Sequence, residues 1–396
     1  RASLRFENFR AGNEAGNGRI CAKVAVRPWQ QYRLRVWMRA ENLDADMIQV
    51  IAIGNGRPLQ HQAPSRPTGG ERAGIGSPRG LTTDWIEQSV AFNSLDCTNV
   101  SVYAGVWGGR SGRIWWDDLR IDDAPLLNLV RRDSLPLVLA GADGTALAEG
   151  RDVERVADPG MGARPWRGCY DTHHEPPRVR LAAGSRIREG DRILLSAWHT
   201  AIVNDGQVNC SLAEPAVFGI CEREIAHAAE ALEPDGWMLS HDEIRTGGWE
   251  PAEIAFGSAG RLLAANVKRC VAIARRAGGG KPVHVWSDMF DPAHNARKDY
   301  YLFNGDFAGS WEGLDRDVVV VKWGGGRLAR PGLEFFAGRG HRPVIAAFYD
   351  GDPANDRAMW AGASKGVPNG EGVIYTTWRN DYASLEAFAR RWWPAP

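Results

Sequence analysis

Apolar and polar residues alternate with a period of two over most of residues 1–123. The runs "ICAKVAV", "QYRLRVWMRA", "MIQVIAIG", "WIEQSVAF", "NVSVYAGVW" and "RIWWDDLRID" are separated by Gly, Pro and Asn, and no helical period intervenes. Short alternating strands with turn signals between them predict an antiparallel β-sandwich. Residues 124–185 read as β-hairpins connecting this region to the next, with Asp143-Gly144 as one turn. From residue 186 the pattern changes. "RILLSAWH", "GWMLSHDE", "PVHVWSD", "DVVVVKWGG", "PVIAAFYDG" and "GVIYTTWRND" are short apolar runs. Stretches of helical spacing such as "CEREIAHAAEAL", "AGRLLAANVKRCVAIARRAG" and "YASLEAFARRWW" lie among them. Alternating apolar strands and helices predict a parallel sheet covered by helices. The expected fold is therefore a β-sandwich over 1–123, a hairpin region over 124–185 and a (β/α)8-like TIM barrel, irregular or incomplete, over 186–396. Six βα units are visible, and residues 124–185 are the source expected for the other two strands. A doubly wound sheet is the rival, disfavoured because no glycine-rich phosphate loop follows the first strand.

Composition narrows the function. The 396 residues are 44% hydrophobic, enough for more than one core, and the formal net charge is zero. No basic surface invites nucleic acid or an anionic membrane. No apolar run reaches the ~18 residues of a membrane-spanning helix. The chain opens on Arg rather than Met, which reads as a processed or trimmed chain whose N-terminus carries no address. The expected location is secreted or periplasmic. The cysteines at 21, 97, 169, 210, 221 and 270 lack CxxC spacing, so a structural zinc cluster is not expected. Cys210 and Cys221 are spaced for a local disulfide, with free thiols as the alternative. Oligomeric state is not legible.

The strand ends carry the candidate chemistry. His199, Asp242 with Glu243, Asp288, Trp323, Tyr349 with Asp350, and Trp378 with Asp381 all follow apolar runs. Barrel enzymes place their active sites at the C-terminal ends of the strands. The chain also holds 17 tryptophans, most of which a core would use. Trp115 and Trp116 are expected to pack the sandwich, and "RRWW" at 390–393 to lie on the outer face of the last helix. Tryptophans beyond strand ends suit a cleft in which a pyranose stacks on an indole. Carboxylates there suit glycoside hydrolysis, which needs an acid for the leaving oxygen and a second group for the charged transition state.

Two stretches carry a resemblance. "YRLRVWMRAEN", "WIEQSVAFN" and "GRIWWDDLRID" resemble the jelly-roll carbohydrate-binding modules attached to many glycosidases. Their last strand bears an acidic pair like Asp117-Asp118. A structural calcium at that pair is the one cofactor expected, with plain solvated carboxylates as the alternative, and none is required for catalysis. "SHDE" resembles the Asp-Glu signature of family 20 β-N-acetylhexosaminidases and their clan. That resemblance implies substrate-assisted retaining catalysis of a β-N-acetylhexosaminide. Glu243 would be general acid and base, and Asp242 the residue polarising the acetamide. Trp286, Trp378 and Tyr349 would line the sugar subsite. His199, Arg245, Asp288, Trp311, Trp323 and Asp350 complete the set of sugar-contacting candidates. The family's first-strand Arg has no counterpart here, and its Tyr and Asp stand one residue apart where Tyr349 and Asp350 adjoin. "HNARKDYYLFNGDFAGSWEGL" is similar to uncharacterised bacterial proteins pairing a sugar-binding sandwich with a barrel.

Three other readings remain. Asp350 or Asp288 would be the nucleophile of a retaining glycosidase that needs no acetamide. His284, Asp288, Asp291 and His294, or His173, His174 and Glu175, would hold zinc. Or the second region would bind an oligo- or polysaccharide without cleaving it.

Overall fold

A computed structural model of the chain describes residues 2–62, 78–161, 174–201, 203, 208 and 210–393. Cys169 and His173 lie outside the described residues. The chain divides into two compact units, Arg1–Asn209 and Cys210–Pro396.

The first unit opens as two antiparallel sheets. Its strands are β1 (Leu4–Phe6), β2 (Gly18–Ala25), β3 (Gln31–Asp44), β4 (Met47–Gly54), β5 (Arg57–Gln62), β6 (Leu81–Asn93), β7 (Asn99–Trp107) and β8 (Ser111–Asp123). One sheet has the order β1-β8-β3-β6 and the other β2-β7-β4-β5. Strand alternation sends Leu34, Val36, Met38, Ile48, Val50, Val102, Ala104, Ile114 and Trp116 into a closed core. Trp116 is buried as expected. The acidic pair sits where the β3–β8 register shifts between Arg35 and Trp37, and Asp118 has φ +51°. Asp117 accepts from the Asp118 backbone N–H, so this pair shapes a bulge.

The hairpin region forms a three-stranded antiparallel sheet, β9 (Val138–Gly141), β10 (Ala146–Leu147) and β11 (Ile193–Ser196), in the order β10-β9-β11. "RILLSAWH", expected to open the barrel, is therefore β11 of the first unit and pairs antiparallel with β9. Its side chains alternate between half-buried and exposed, with Leu194 49% exposed, as suits a sheet with one wet face.

The second unit contains α1 (Pro215–Leu232), β12 (Trp237–Leu239), β13 (Thr246–Gly247), α2 (Pro251–Ile254), α3 (Ala259–Ala277), β14 (Val283–Trp286), β15 (Leu302–Phe303), β16 (Val319–Lys322), α4 (Ala329–Gly338), β17 (Pro343–Phe348), α5 (Pro353–Ser364), β18 (Gly372–Thr376) and α6 (Leu385–Trp392). Its main sheet is parallel, with the order β12-β14-β16-β17-β18. Strand order follows chain order without reversal, so the sheet is singly wound like part of a barrel, and the doubly wound rival is excluded. The expected closed eight-stranded barrel is not formed. Five described strands make an open half-barrel, because both segments expected to supply the rest are committed to antiparallel pairs in the first unit.

Two apolar cores place the helices on one face of this sheet. Val283, Val285 and Val320 pack with Leu262, Leu263, Val267, Val271 and Ala274 of α3. Ile345 and Ala347 pack with Ala329 and Leu333 of α4, Trp360 of α5 and Phe388 of α6. Between β16 and α4 lies a fully buried ion pair, Lys322 Nζ to Asp291 Oδ2 at 3.0 Å. Gly332 of α4 covers it, and a Cβ there would overlap both partners.

Candidate functional site

The chain leaves strand geometry after Leu239, and the segment from Ser240 to Arg245 is irregular. His241 and Glu243 both adopt left-handed backbone, at φ +55° and +45°. Non-glycine residues pay for that conformation, and such outliers cluster at functional sites. His241 is anchored beneath by a 3.0 Å contact between its Nε2 and Asn266 Oδ1 of α3, and burial lowers its pKa. The glycine pair of "TGGW" is required by space as well as by dihedral angle. Gly247 and Gly248 have φ +142° and +74°, and a Cβ on either would meet the Phe303 ring. Parallel pairing of β13 with β15 then sets the Arg245 guanidinium over the Tyr301 ring, 5.4 Å from its centroid. Arg245 Nη2 ion-pairs with Glu243 Oε2 at 2.5 Å.

The next strand end supplies Asp288, which is fully buried. Its Oδ2 accepts from the Glu243 backbone N–H at 3.0 Å and from Asn295 Nδ2 at 2.8 Å. Its Oδ1 accepts from Trp323 Nε1 at 3.0 Å. Burial pushes the Asp288 carboxyl up to about 6, against the lowering effect of these donors, and the Asp242 charge adds to the rise. The Asp242 charge also acts on Tyr349, whose hydroxyl is raised chiefly by burial.

Beyond β16, β17 and β18 stands a row of rings. Trp323 and Tyr349 have centroids 6.4 Å apart, tilted by 35°, and Tyr349 and Trp378 repeat this at 6.4 Å and 37°. His294 packs edge-on against Trp323 at 4.6 Å, and burial lowers its pKa to about 4. The row ends at the surface, where Trp378 is 74% exposed. Three successive residues at the β17 end, Phe348, Tyr349 and Asp350, have φ of +84°, +46° and +60°. Asp350 holds this turn to the next strand. One oxygen takes the Thr377 hydroxyl and the other the backbone N–H of Trp378 and Arg379, which keeps the carboxyl below its ordinary range.

The structure thus brings together Asp242, Glu243, Arg245, Asp288, Trp323, Tyr349, Asp350 and Trp378. Trp286 lies on β14, on the sheet face opposite Val283 and Val285, and outside the ring row. Two candidates are placed elsewhere. His199 belongs to the first unit, where its Nε2 lies 2.9 Å from Asn93 Nδ2. Trp311 packs edge-on against Phe335 of α4 and donates to Glu312 at 2.8 Å, so it serves the helix layer. Asn295, Tyr300 and Tyr301 join the site without having been singled out. They follow β14 in a stretch whose spacing carries no periodic signal.

Several of the zinc positions are otherwise engaged. Asp291 is paired with Lys322, His284 Nδ1 lies 3.3 Å from the Trp237 carbonyl, and His174 Nε2 lies 2.9 Å from Asp158. Glu175 is ion-paired with Arg33. Among the described residues no group of three or more His, Cys, Asp or Glu side chains is placed to hold a metal. The described cysteines are free thiols, Cys210 and Cys221 included. No described helix is long and apolar enough to cross a membrane.

No protein-family model matches the chain, and no curated protein matches it. Several solved structures align at low similarity. A family 4 carbohydrate-binding module is 14% identical, over 26% of this chain and 60% of its own, with a TM-score of 0.21. A family 16 carbohydrate-binding module is 14% identical, over 31% and 76%, at 0.20. The module pair of family 22 binding module and family 10 domain from Clostridium thermocellum xylanase 10B, complexed with xylohexaose, is 9% identical, over 95% and 86%, at 0.26. The chain therefore spans three-fifths of the first of these. None of the three is a family 20 enzyme, and at such scores the fold rests on strand pairing alone.

Proposed function

We propose that the second unit recognises a glycan at the ends of β12, β16, β17 and β18. The observation that carries this reading is the row Trp323, Tyr349 and Trp378 beside Asp242, Glu243 and Arg245. The apolar face of a pyranose stacks on such rings, and carboxylates and a guanidinium take up the hydroxyls at its edge. A pocket built of aromatic walls with a few convergent polar groups is the general form of a small-molecule site. Isothermal titration with a panel of soluble oligosaccharides tests it. Tyr349→Ala should weaken binding by about tenfold, the equivalent of ~1.4 kcal/mol. An unaltered affinity in a folded variant would remove the row from the site.

Cleavage of that glycan is the second reading. It is favoured by the strained backbone of His241 and Glu243, on either side of Asp242, at a strand end. Glu243 would serve as general acid and base, with Asp242 polarising a 2-acetamido group. The protein-nucleophile version fits less well. Asp288 is fully buried, and both Asp350 oxygens are occupied by neighbours. A substrate with a plain 2-hydroxyl should then be much poorer than its 2-acetamido counterpart. Equal turnover of the two would remove the acetamide mechanism.

A further inference from the structure

We infer that Asp288 is the positioning residue of this site, one buried carboxylate that fixes the Glu243 backbone and the Trp323 ring together. The binding consequence rests on the glycan reading above, whereas the geometric part stands without it. Asp288 has no exposed surface and so touches no ligand. What it touches are three donors from three segments: the Glu243 N–H beyond β12, the Asn295 amide beyond β14 and the Trp323 indole beyond β16. Only a carboxylate offers acceptors to all three. An Asn side chain would turn an NH2 group towards another donor.

Each anchored group depends on Asp288 for part of its hold. Glu243 sits at φ +45°, a conformation that relaxes unless its surroundings over-determine it. Its backbone N–H donates to Asp288, and its side chain is committed to Arg245. Trp323 is followed by Gly324, Gly325 and Gly326, and Gly324 and Gly326 have positive φ, so the chain beyond it gives no side-chain buttress. The Trp323 backbone is held by Ser287 Oγ at 3.3 Å and by Lys322 Nζ on its carbonyl at 2.6 Å. Neither bond sets the ring plane. The indole bond to Asp288 and the edge contact of His294 do. Asn295 is locked in turn by the Tyr300 hydroxyl at 3.3 Å and by its own N–H on the Asp288 carbonyl at 3.1 Å. A sugar ring lying on Trp323 therefore meets Glu243 at an angle that Asp288 dictates.

The test uses the full chain, hexa-N-acetylchitohexaose as probe and the indole N–H resonances of 15N-labelled protein, with Trp323 assigned through Trp323→Phe. In Asp288→Asn the Trp323 indole signal should shift and exchange faster, while that of Trp378 stays. Affinity should fall about tenfold or more. Adding Trp323→Phe to Asp288→Asn should cost little more, because contacting positions that share one interaction are non-additive. A folded Asp288→Asn protein with an unmoved Trp323 indole, or strictly additive losses, would overturn the inference. Should Asp288→Asn not fold, the wild-type Trp323 indole signal decides: followed from pH 4 to 7.5 it should move as Asp288, its hydrogen-bond partner, changes protonation state, and a signal that stays fixed across that range contradicts positioning. If the wild type binds no oligosaccharide, the glycan reading fails, and the indole spectrum alone decides the positioning claim.

Discussion

Asp242 and Glu243 need not point to opposite faces, because the chain is no longer a strand when it reaches them. Neighbours on a strand point to opposite faces, but β12 ends at Leu239, and left-handed turns at His241 and Glu243 redirect the backbone. If the site cleaves its glycan, Glu243→Gln should lower turnover by roughly 10²–10⁴ on substrates with poor leaving groups and by less on an activated aryl glycoside. Asp242→Asn should slow both substrates alike. Equal losses for Glu243→Gln on both substrates would contradict an acid role.

Asp288 makes a pH prediction of two opposite signs. Burial raises its carboxyl from 3.8 to about 6, so the fold favours the protonated form. Its contribution to stability is fully present below pH ~4 and is lost as pH rises through ~6, a change of about 3 kcal/mol. Glycan affinity should run the other way, rising through the same window as the ionised group regains its third acceptor position. Denaturant melts and titrations between pH 4 and 7.5 check both slopes, and Asp288→Asn should flatten both. Parallel slopes would refute the account. The acidic strand ends were legible in the sequence, since a bare Asp-Glu pair after an apolar run is uncommon. The division of labour was not. Nothing in "WSDMFD" tells a buried acceptor from a sugar contact, and Asn295 and Tyr300 reach the site through a loop without period.

At the scale of elements, the half-barrel depends on a charge pair in its apolar helix layer. Lys322 and Asp291 are both fully buried under α4, and burial lowers the lysine pKa while Asp291 opposes that. Removing one partner strands the other, so Lys322→Met should destabilise the second unit by roughly 3–5 kcal/mol. Adding Asp291→Leu should recover part of that loss. A single variant with wild-type stability in urea would show the pair to be incidental. The five strands of this sheet were all legible as apolar runs, and β16 and β17 are buried along their whole length, as a covered parallel sheet requires. "RILLSAWH" was misplaced because a short apolar run does not reveal its partner. Its alternating exposure, the mark of an antiparallel strand, shows only once the neighbours are known. Trp311 was a sugar-contacting candidate, yet it packs edge-on against Phe335 in the helix layer.

For the whole molecule, the sandwich and the half-barrel are separate units, and the aromatic row and the acid pair both belong to the second. A fragment of residues 210–396 that folds should thus bind the oligosaccharide within a few-fold of the full chain, and a folded fragment without affinity would place essential groups elsewhere. The central claim is that the ring row is a sugar platform, and two exposed tryptophans of this unit test it most directly. Trp378 ends the row at 74% exposure, and Trp393, at 58%, stands after α6. Titrating hexa-N-acetylchitohexaose into Trp378→Ala and Trp393→Ala compares them under identical conditions. The account predicts about a tenfold loss of affinity for Trp378→Ala and none for Trp393→Ala. Equal affinities for the two variants would contradict it.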